Sequence, residues 1–152
     1  MSKADHDAEV AAVRARAPHY DRPWYDSAAR VLAARNLQGL ACLDLCAGHG
    51  EFAEIMRDRF AMKVTCADYT EPHLVRQREL GFETLKVDLD AAEAEVDALA
   101  CSQAGRYDLV VSLATIEHVF DSDNFLRFCH TVLKPDGLLL VNTPNLAFLG
   151  YR

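Results

Sequence analysis

The residues richest in chemistry stand together in Asp44-Leu45-Cys46-Ala47-Gly48-His49-Gly50, where two glycines flank a single residue directly after an apolar run. Glycine lets the backbone turn tightly and lets a ligand approach it closely. A helix that begins here also presents unpaired N–H groups. The segment can therefore cradle a nucleotide-like ligand, although an ordinary strand-to-helix turn has the same look. Asp68 closes the next apolar run, twenty residues beyond Gly48. A carboxylate there can accept two hydrogen bonds from a ribose diol; the plainer alternative is a surface residue capping a helix at Glu71-Pro72. Asp88 and Leu89 close a third run. Asp88 can accept the exocyclic amine of an adenine, or act as N-cap of a helix from Ala91, and the two roles are compatible. Ile116-Glu117-His118-Val119 follows a fourth run and contributes an imidazole, a candidate general base; the plainer alternative is a helix-start histidine making local hydrogen bonds. Asn142-Thr143-Pro144-Asn145 places polar groups after a fifth run.

The elements that position these residues follow from periodicity. Apolar runs of strand length occur at Leu40–Leu45, Lys63–Ala67, Glu83–Val87, Leu109–Leu113 and Leu138–Thr143. Helical patterns occupy Glu51–Arg59, Glu71–Leu80, Ala91–Ala100 and Ser122–Leu133, the last with Phe125, Leu126, Cys129, Val132 and Leu133 on one face. Leu133-Lys134-Pro135-Asp136-Gly137 reads as a helix end and a turn. Strands alternating with helices specify βαβ units and a parallel sheet. Such sheets bind ligands outside the carboxyl ends of their strands, where the residues above fall. Residues 1–39 form a separate helical segment: Asp5–Ala17 by propensity, ended by Pro18, then a helix from Pro23 to about Asn36 with Ala28, Val31, Leu32 and Leu37 as its apolar stripe. Residues 40–152 form the ligand-binding domain.

Composition limits the function classes. The chain has 152 residues, 51% hydrophobic and 26% charged, which suits one globular domain and excludes disorder. Its net charge of −7 speaks against bulk nucleic-acid binding, which rests on phosphate neutralisation by Lys and Arg. No apolar run approaches the ~20 residues of a membrane helix, and Met1–Val10 shows no secretory pattern. Cys42, Cys46, Cys66, Cys101 and Cys129 form no Cys-x-x-Cys pair, so they read as reduced thiols in a reducing, cytoplasmic compartment and not as a metal site.

Two ligand classes compete. Gly48-His49-Gly50-Glu51-Phe52-Ala53 fits G-x-G-x-x-A, and Asp68 fits the ribose acid of a nicotinamide dinucleotide, which would make the chain an NAD-dependent oxidoreductase. Against it, Asp44 sets a carboxylate beside the place of a pyrophosphate and suits a cationic ligand instead.

Taken together, Ala41 to Asn145 resembles the class I S-adenosylmethionine-dependent methyltransferases, of the small-molecule type 11 or type 12 kind. Asp44 to Gly50 resembles their E/D-x-G-x-G-x-G loop. Asp68 and Asp88 match their acidic residues on the second and third strands, Tyr107-Asp108-Leu109-Val110-Val111 their fourth strand, and Glu117-His118-Val119 and Leu133 to Gly137 a motif pair of this subgroup. The resemblance implies a Rossmann-like, doubly wound parallel sheet in the order 3-2-1-4-5. It implies S-adenosylmethionine as cofactor, S-adenosylhomocysteine as product, and methyl transfer to a small-molecule acceptor. Cys46, Ala47, Gly48 and Gly50 would hold the amino-acid portion, with Asp44 towards its ammonium. Asp68, with Tyr69 beside it, would hold the ribose and Asp88-Leu89 the adenine. Leu113 would line the wall near the methyl group, His118 is the candidate catalytic base, and Tyr20 and Tyr25 could cover the cofactor or simply pack in the core.

Three departures from the family pattern stand out. Cys46 replaces a glycine, which disfavours positive φ there. Ala114 stands where some phenol-methylating members carry a metal-binding Glu, so no metal is expected. The family's last two strands are missing, which leaves the fifth strand on an edge. That edge would pair with a second copy, be covered by the N-terminal helices or the tail from Asn145, or be completed because the native chain continues beyond Arg152. The last is the favoured expectation, and a non-catalytic binding module or one part of a split enzyme is the alternative function.

Overall fold

The structure, a computed structural model, describes residues 22–145. Its elements run α1 (Pro23–Ala34), β1 (Ala41–Leu45), α2 (Glu51–Phe60), β2 (Lys63–Asp68), α3 (Glu71–Glu79), β3 (Glu83–Lys86), α4 (Glu93–Ser102), β4 (Tyr107–Leu113), α5 (Ser122–Val132) and β5 (Leu133–Asn142). All strand pairs are parallel and the order is 3-2-1-4-5, as expected.

The period of two in the central strands builds two cores. Cys42 of β1 faces one layer with Ala28, Ala29 and Leu32 of α1 and Phe52, Ala53, Met56 and Phe60 of α2. Leu43 and Leu45 face the other, against Val96 and Ala100 of α4 and Phe125, Phe128, Cys129 and Val132 of α5. Strands buried on both faces explain why their sequences read as continuous apolar runs. Asp108 fixes the lower end of the sheet: its carboxylate accepts the Ala41 N–H at 2.9 Å and pairs with Lys134 Nζ at 2.8 Å. At the upper end Ser112 Oγ, fully buried, donates to the Leu45 carbonyl at 3.0 Å and ties β4 to β1. The chain reverses its winding direction between β1 and β4, which opens the crevice where such sheets take ligands.

Four local expectations are corrected. β5 begins at Leu133, which pairs with Tyr107 before a bulge carries the chain to Leu138 opposite Leu109. The turn chemistry of Pro135-Asp136-Gly137 is present, with Asp136 at φ +64°, but inside the strand and not before it. In α1, Ala28 and Leu32 are buried, and Leu37 just after it packs against the core as expected, but Ala29 takes the place of Val31, which is 44% exposed, so the stripe is turned slightly towards Ala29. α4 begins at Glu93 with Ala92 as N-cap; Asp88 does not cap it and instead accepts the Asp90 N–H at 3.1 Å. Cys46 adopts φ +62°, the left-handed conformation its side chain disfavours. The Asp5–Ala17 helix, Tyr20 and the tail beyond Asn145 lie outside the described residues. Among the described residues β5 is an edge strand, with Leu138 and Leu139 partly exposed, and no helix is long and apolar enough to cross a membrane.

Candidate functional site

A cavity of about 700 Å³ opens at the carboxyl ends of β1 to β4. Each strand end supplies part of its wall: Cys46 and Gly48 after β1, Asp68 and Tyr69 after β2, Val87 to Asp90 after β3, and Ala114, Thr115, His118 and Val119 after β4, with His73 from α3. The structure thus brings together Cys46, Gly48, Asp68, Tyr69, Asp88, Leu89 and His118. Asp44, Ala47, Gly50 and Leu113 stand behind this wall and do not line it.

Asp68 is the hub. Only 4% of the residue is exposed. Its Oδ2 accepts the Gly48 N–H at 3.0 Å and its Oδ1 the Thr70 N–H at 3.0 Å. His73 Nδ1 lies 3.1 Å from Oδ1, without the alignment of a hydrogen bond. Burial pushes this carboxyl up, yet the His73 contact and the two backbone N–H groups outweigh it and hold the group below the usual carboxylate range. The loop is closed from other sides as well. The Ala47 N–H donates to the Ala67 carbonyl, the Gly50 N–H to the Ala47 carbonyl, and Gln77 Nε2 to the Gly48 carbonyl at 2.8 Å.

The two loop glycines have different work. Gly48 has φ +57°, and a Cβ there would meet no protein atom: the space beside it belongs to the cavity. Gly50 has φ +84° at the N-cap of α2, and a Cβ would press to 3.3 Å on Leu80 Cδ1, so this glycine serves packing. Cys46 is partly buried, and burial pushes its thiol up to about 12, which leaves it protonated and unreactive at neutral pH.

Beneath the loop lies Asp44, 3% exposed, whose Oδ2 is buried without a hydrogen-bond partner. Burial first, then the charges of Asp68 and Glu51, push its carboxyl up to about 7. Tyr25 closes that side: its hydroxyl donates to Glu51 Oε2 at 3.1 Å and its ring lies 5.3 Å from that of Phe52. It packs on the α1/α2 core and does not reach the cavity wall.

On the β4 side of the cavity His118 sits in a turn, its N–H donating to the Thr115 carbonyl at 2.8 Å and its side chain 76% exposed. Asp90 Oδ1 accepts the Phe120 N–H at 2.8 Å and joins the loop after β3 to the loop after β4. The Phe120 residue is 95% exposed beside it. Among the described residues no group of three His, Cys, Asp or Glu side chains is placed to hold a metal ion. Sequence reasoning missed His73 and Asp90. Both lie within five residues of a strand end, His73 in the first turn of the following helix, which is the signal that could have found them.

Comparison with known proteins agrees with this architecture. A family model described as a methyltransferase domain matches residues 16–150. The ubiquinone biosynthesis O-methyltransferase of Azotobacter vinelandii is 37% identical over 109 residues, covering 72% of this chain and 46% of that protein. The Bordetella avium protein of the same name is 37% identical over 113 residues, covering 74% and 46%. The chain spans about half the length of the curated relatives it matches. Among solved structures, an S-adenosylmethionine-dependent methyltransferase from Mesorhizobium loti superposes with a TM-score of 0.61 at 26% identity, covering 77% of this chain and 53% of that one. With its parallel 3-2-1-4-5 sheet, its glycine loop and a domain match over most of its length, this chain belongs to the methyltransferase-domain family.

Proposed function

We propose that the chain binds S-adenosylmethionine in this cavity and directs its methyl group to a small-molecule acceptor, leaving S-adenosylhomocysteine. The observation that carries this reading is the charge of the wall. Asp68, Asp88 and Asp90 contribute carboxylates, and among the described residues no lysine or arginine lines the cavity. A pyrophosphate would meet these carboxylates and would find the N–H groups of Ala47, Gly48 and Gly50 already engaged within the protein. That counts against a dinucleotide. A nucleoside bearing positive charge suits the same wall, and the unpartnered Asp44 Oδ2 gains from any cation held above the loop.

The residues present fit the cofactor. Gly48 leaves room for its close approach, Asp68 keeps acceptor sites for its ribose, and we assign the adenine to Asp88 and Leu89, which line the cavity with Leu89 buried and Asp88 exposed. Tyr69, 47% exposed beside Asp68, is placed to cover the ribose. Asp44 acts on the ammonium through its field or a bridging water, since its carboxyl stands behind the wall. Ala47 and Gly50 hold the shape of the loop, and Leu113 backs Ala114 and Thr115. When bound, the cofactor supplies a methyl group already activated on sulfur, so that positioning and water exclusion can provide most of the acceleration. His118 is the base we assign to the acceptor's proton, because its imidazole is the titratable group facing the acceptor side beside Ala114 and Thr115.

The family match and the named O-methyltransferase relatives support methyl transfer to a small molecule. Five free thiols fit a reducing, cytoplasmic location. The exposure of His118 and Phe120 leaves the acceptor side open, which favours binding without transfer as a second reading. A turnover assay separates the two. S-adenosylmethionine is incubated with panels of phenols, amines and thiols, and S-adenosylhomocysteine is quantified by mass spectrometry. Acceptor-dependent product that falls at least tenfold in His118→Ala supports transfer and its base. Product in wild type that is unchanged in His118→Ala removes His118 from the chemistry, and cofactor binding with no product from any panel favours the binding module.

A further inference from the structure

His73 is the third residue of α3, and its side chain turns back towards the carboxyl end of β2. Its Nδ1 is buried against Asp68, 3.1 Å from Oδ1, and the ring packs on His49 of the glycine loop with centroids 4.7 Å apart. A quarter of the side chain, 26%, remains exposed, and the residue lines the cavity. With Nδ1 enclosed, the polar atom that His73 can offer a ligand is Nε2.

Counting donors and acceptors shows what that atom is for. An ionised carboxylate has about four acceptor sites. The N–H groups of Gly48 and Thr70 take two of those on Asp68. His73 Nδ1 stands 3.1 Å from Oδ1, and a slight rotation of the ring would point its N–H there and take a third. A neutral imidazole that donates from Nδ1 accepts at Nε2. A ribose diol brings two O–H donors, one more than Asp68 then has sites for.

Resting on the cofactor assignment above, we propose that His73 Nε2 accepts a hydrogen bond from one ribose hydroxyl. The sugar is then read by an Asp68–His73 pair and not by the carboxylate alone. His73 is thus a specificity residue for the intact diol, and Asp68 is the residue that fixes its tautomer.

Calorimetric titration of S-adenosylhomocysteine and its 2′-deoxy and 3′-deoxy analogues into wild type, His73→Ala and His73→Phe tests this. Phenylalanine keeps a ring against His49 and removes both nitrogens. S-adenosylhomocysteine should bind about five- to tenfold more weakly to both variants, the effect of one neutral hydrogen bond. The analogue lacking the hydroxyl that meets His73 should bind wild type and variants alike. Equal weakening of all three ligands would reduce His73 to a packing role, and no weakening would remove it from the site; either overturns the proposal while leaving the cofactor assignment standing. Wild type that binds none of the three ligands overturns that assignment and His73 with it. If neither variant folds, the 15N resonance of His73 Nε2 in wild type decides: a shift on adding S-adenosylhomocysteine that is absent with one deoxy analogue supports the bond, and no shift refutes it.

Discussion

Replacing Asp44 with asparagine should stabilise the ligand-free chain at alkaline pH while weakening the cofactor. The carboxyl is buried beneath the glycine loop with an unpartnered oxygen, and its pKa rises from 3.8 to about 7. At about 1.4 kcal/mol per pH unit, that rise makes the ionised form cost about 4 kcal/mol as an upper bound. The sign follows from proton counting. Between about pH 4 and 7 the folded chain holds a proton that the unfolded chain has lost, so stability falls as pH rises through this window. Below it both states are protonated and the group costs nothing; above it the full cost applies. Asparagine removes the charge but keeps a buried amide, whose desolvation returns about 1–3 kcal/mol. The net expectation is a variant about 1–3 kcal/mol more stable than wild type at pH 8, with the advantage gone by about pH 4. Urea unfolding at a series of pH values measures it. A variant less stable at pH 8, or an advantage that does not change with pH, would refute the assignment of a strained, ionisable carboxyl beneath the loop. The same substitution should weaken S-adenosylhomocysteine, because stability here trades against a site prepared for a cation.

Cys46→Gly should raise stability by about 0.5–1 kcal/mol, since the left-handed backbone at φ +62° costs cysteine about 1–2 kcal/mol and glycine recovers it less its own chain entropy; chemical denaturation reads the difference, and a loss would mean that the loop needs the thiol. Gly48→Val should abolish S-adenosylhomocysteine binding, because its side chain would enter the cavity without touching protein, and should cost only the backbone strain of about 1–3 kcal/mol in stability; retained affinity would show that the ligand does not approach this glycine. Asp68→Asn should weaken S-adenosylhomocysteine by about 1.5–3 kcal/mol, as expected for hydrogen bonds to a charged acceptor. Asp68→Ala should lower the unfolding midpoint as well as the affinity, since the carboxylate also anchors the N–H groups of Gly48 and Thr70.

Much of this architecture was legible because strands buried on both faces announce themselves as short apolar runs, and the residues just after them carry the chemistry. Asp68, Asp88 and His118 each follow such a run, and each lines the cavity. What escaped was set by tertiary contact. The bulge at Leu133–Leu138 reads locally as a turn, and only pairing with Tyr107 makes Leu133 part of a strand. The rotation of α1 depends on small alanines that hydrophobic periodicity weighs lightly. Cys46 takes a glycine's conformation because the two residues after it are held by other bonds, from the Ala47 N–H to the Ala67 carbonyl and from the Gly48 N–H to Asp68. His73 lies within the helical pattern Glu71–Leu80, and its contacts with His49 and Asp68 arise only in the fold.

Calorimetric titration of the chain with S-adenosylmethionine, S-adenosylhomocysteine and NAD tests the central claim most directly, because the cavity's carboxylate wall and its engaged loop N–H groups make opposite demands on the two ligand classes. The account predicts one-to-one binding of the two adenosyl ligands and none of NAD. Binding of NAD more tightly than S-adenosylhomocysteine, or no binding of either adenosyl ligand, would contradict it.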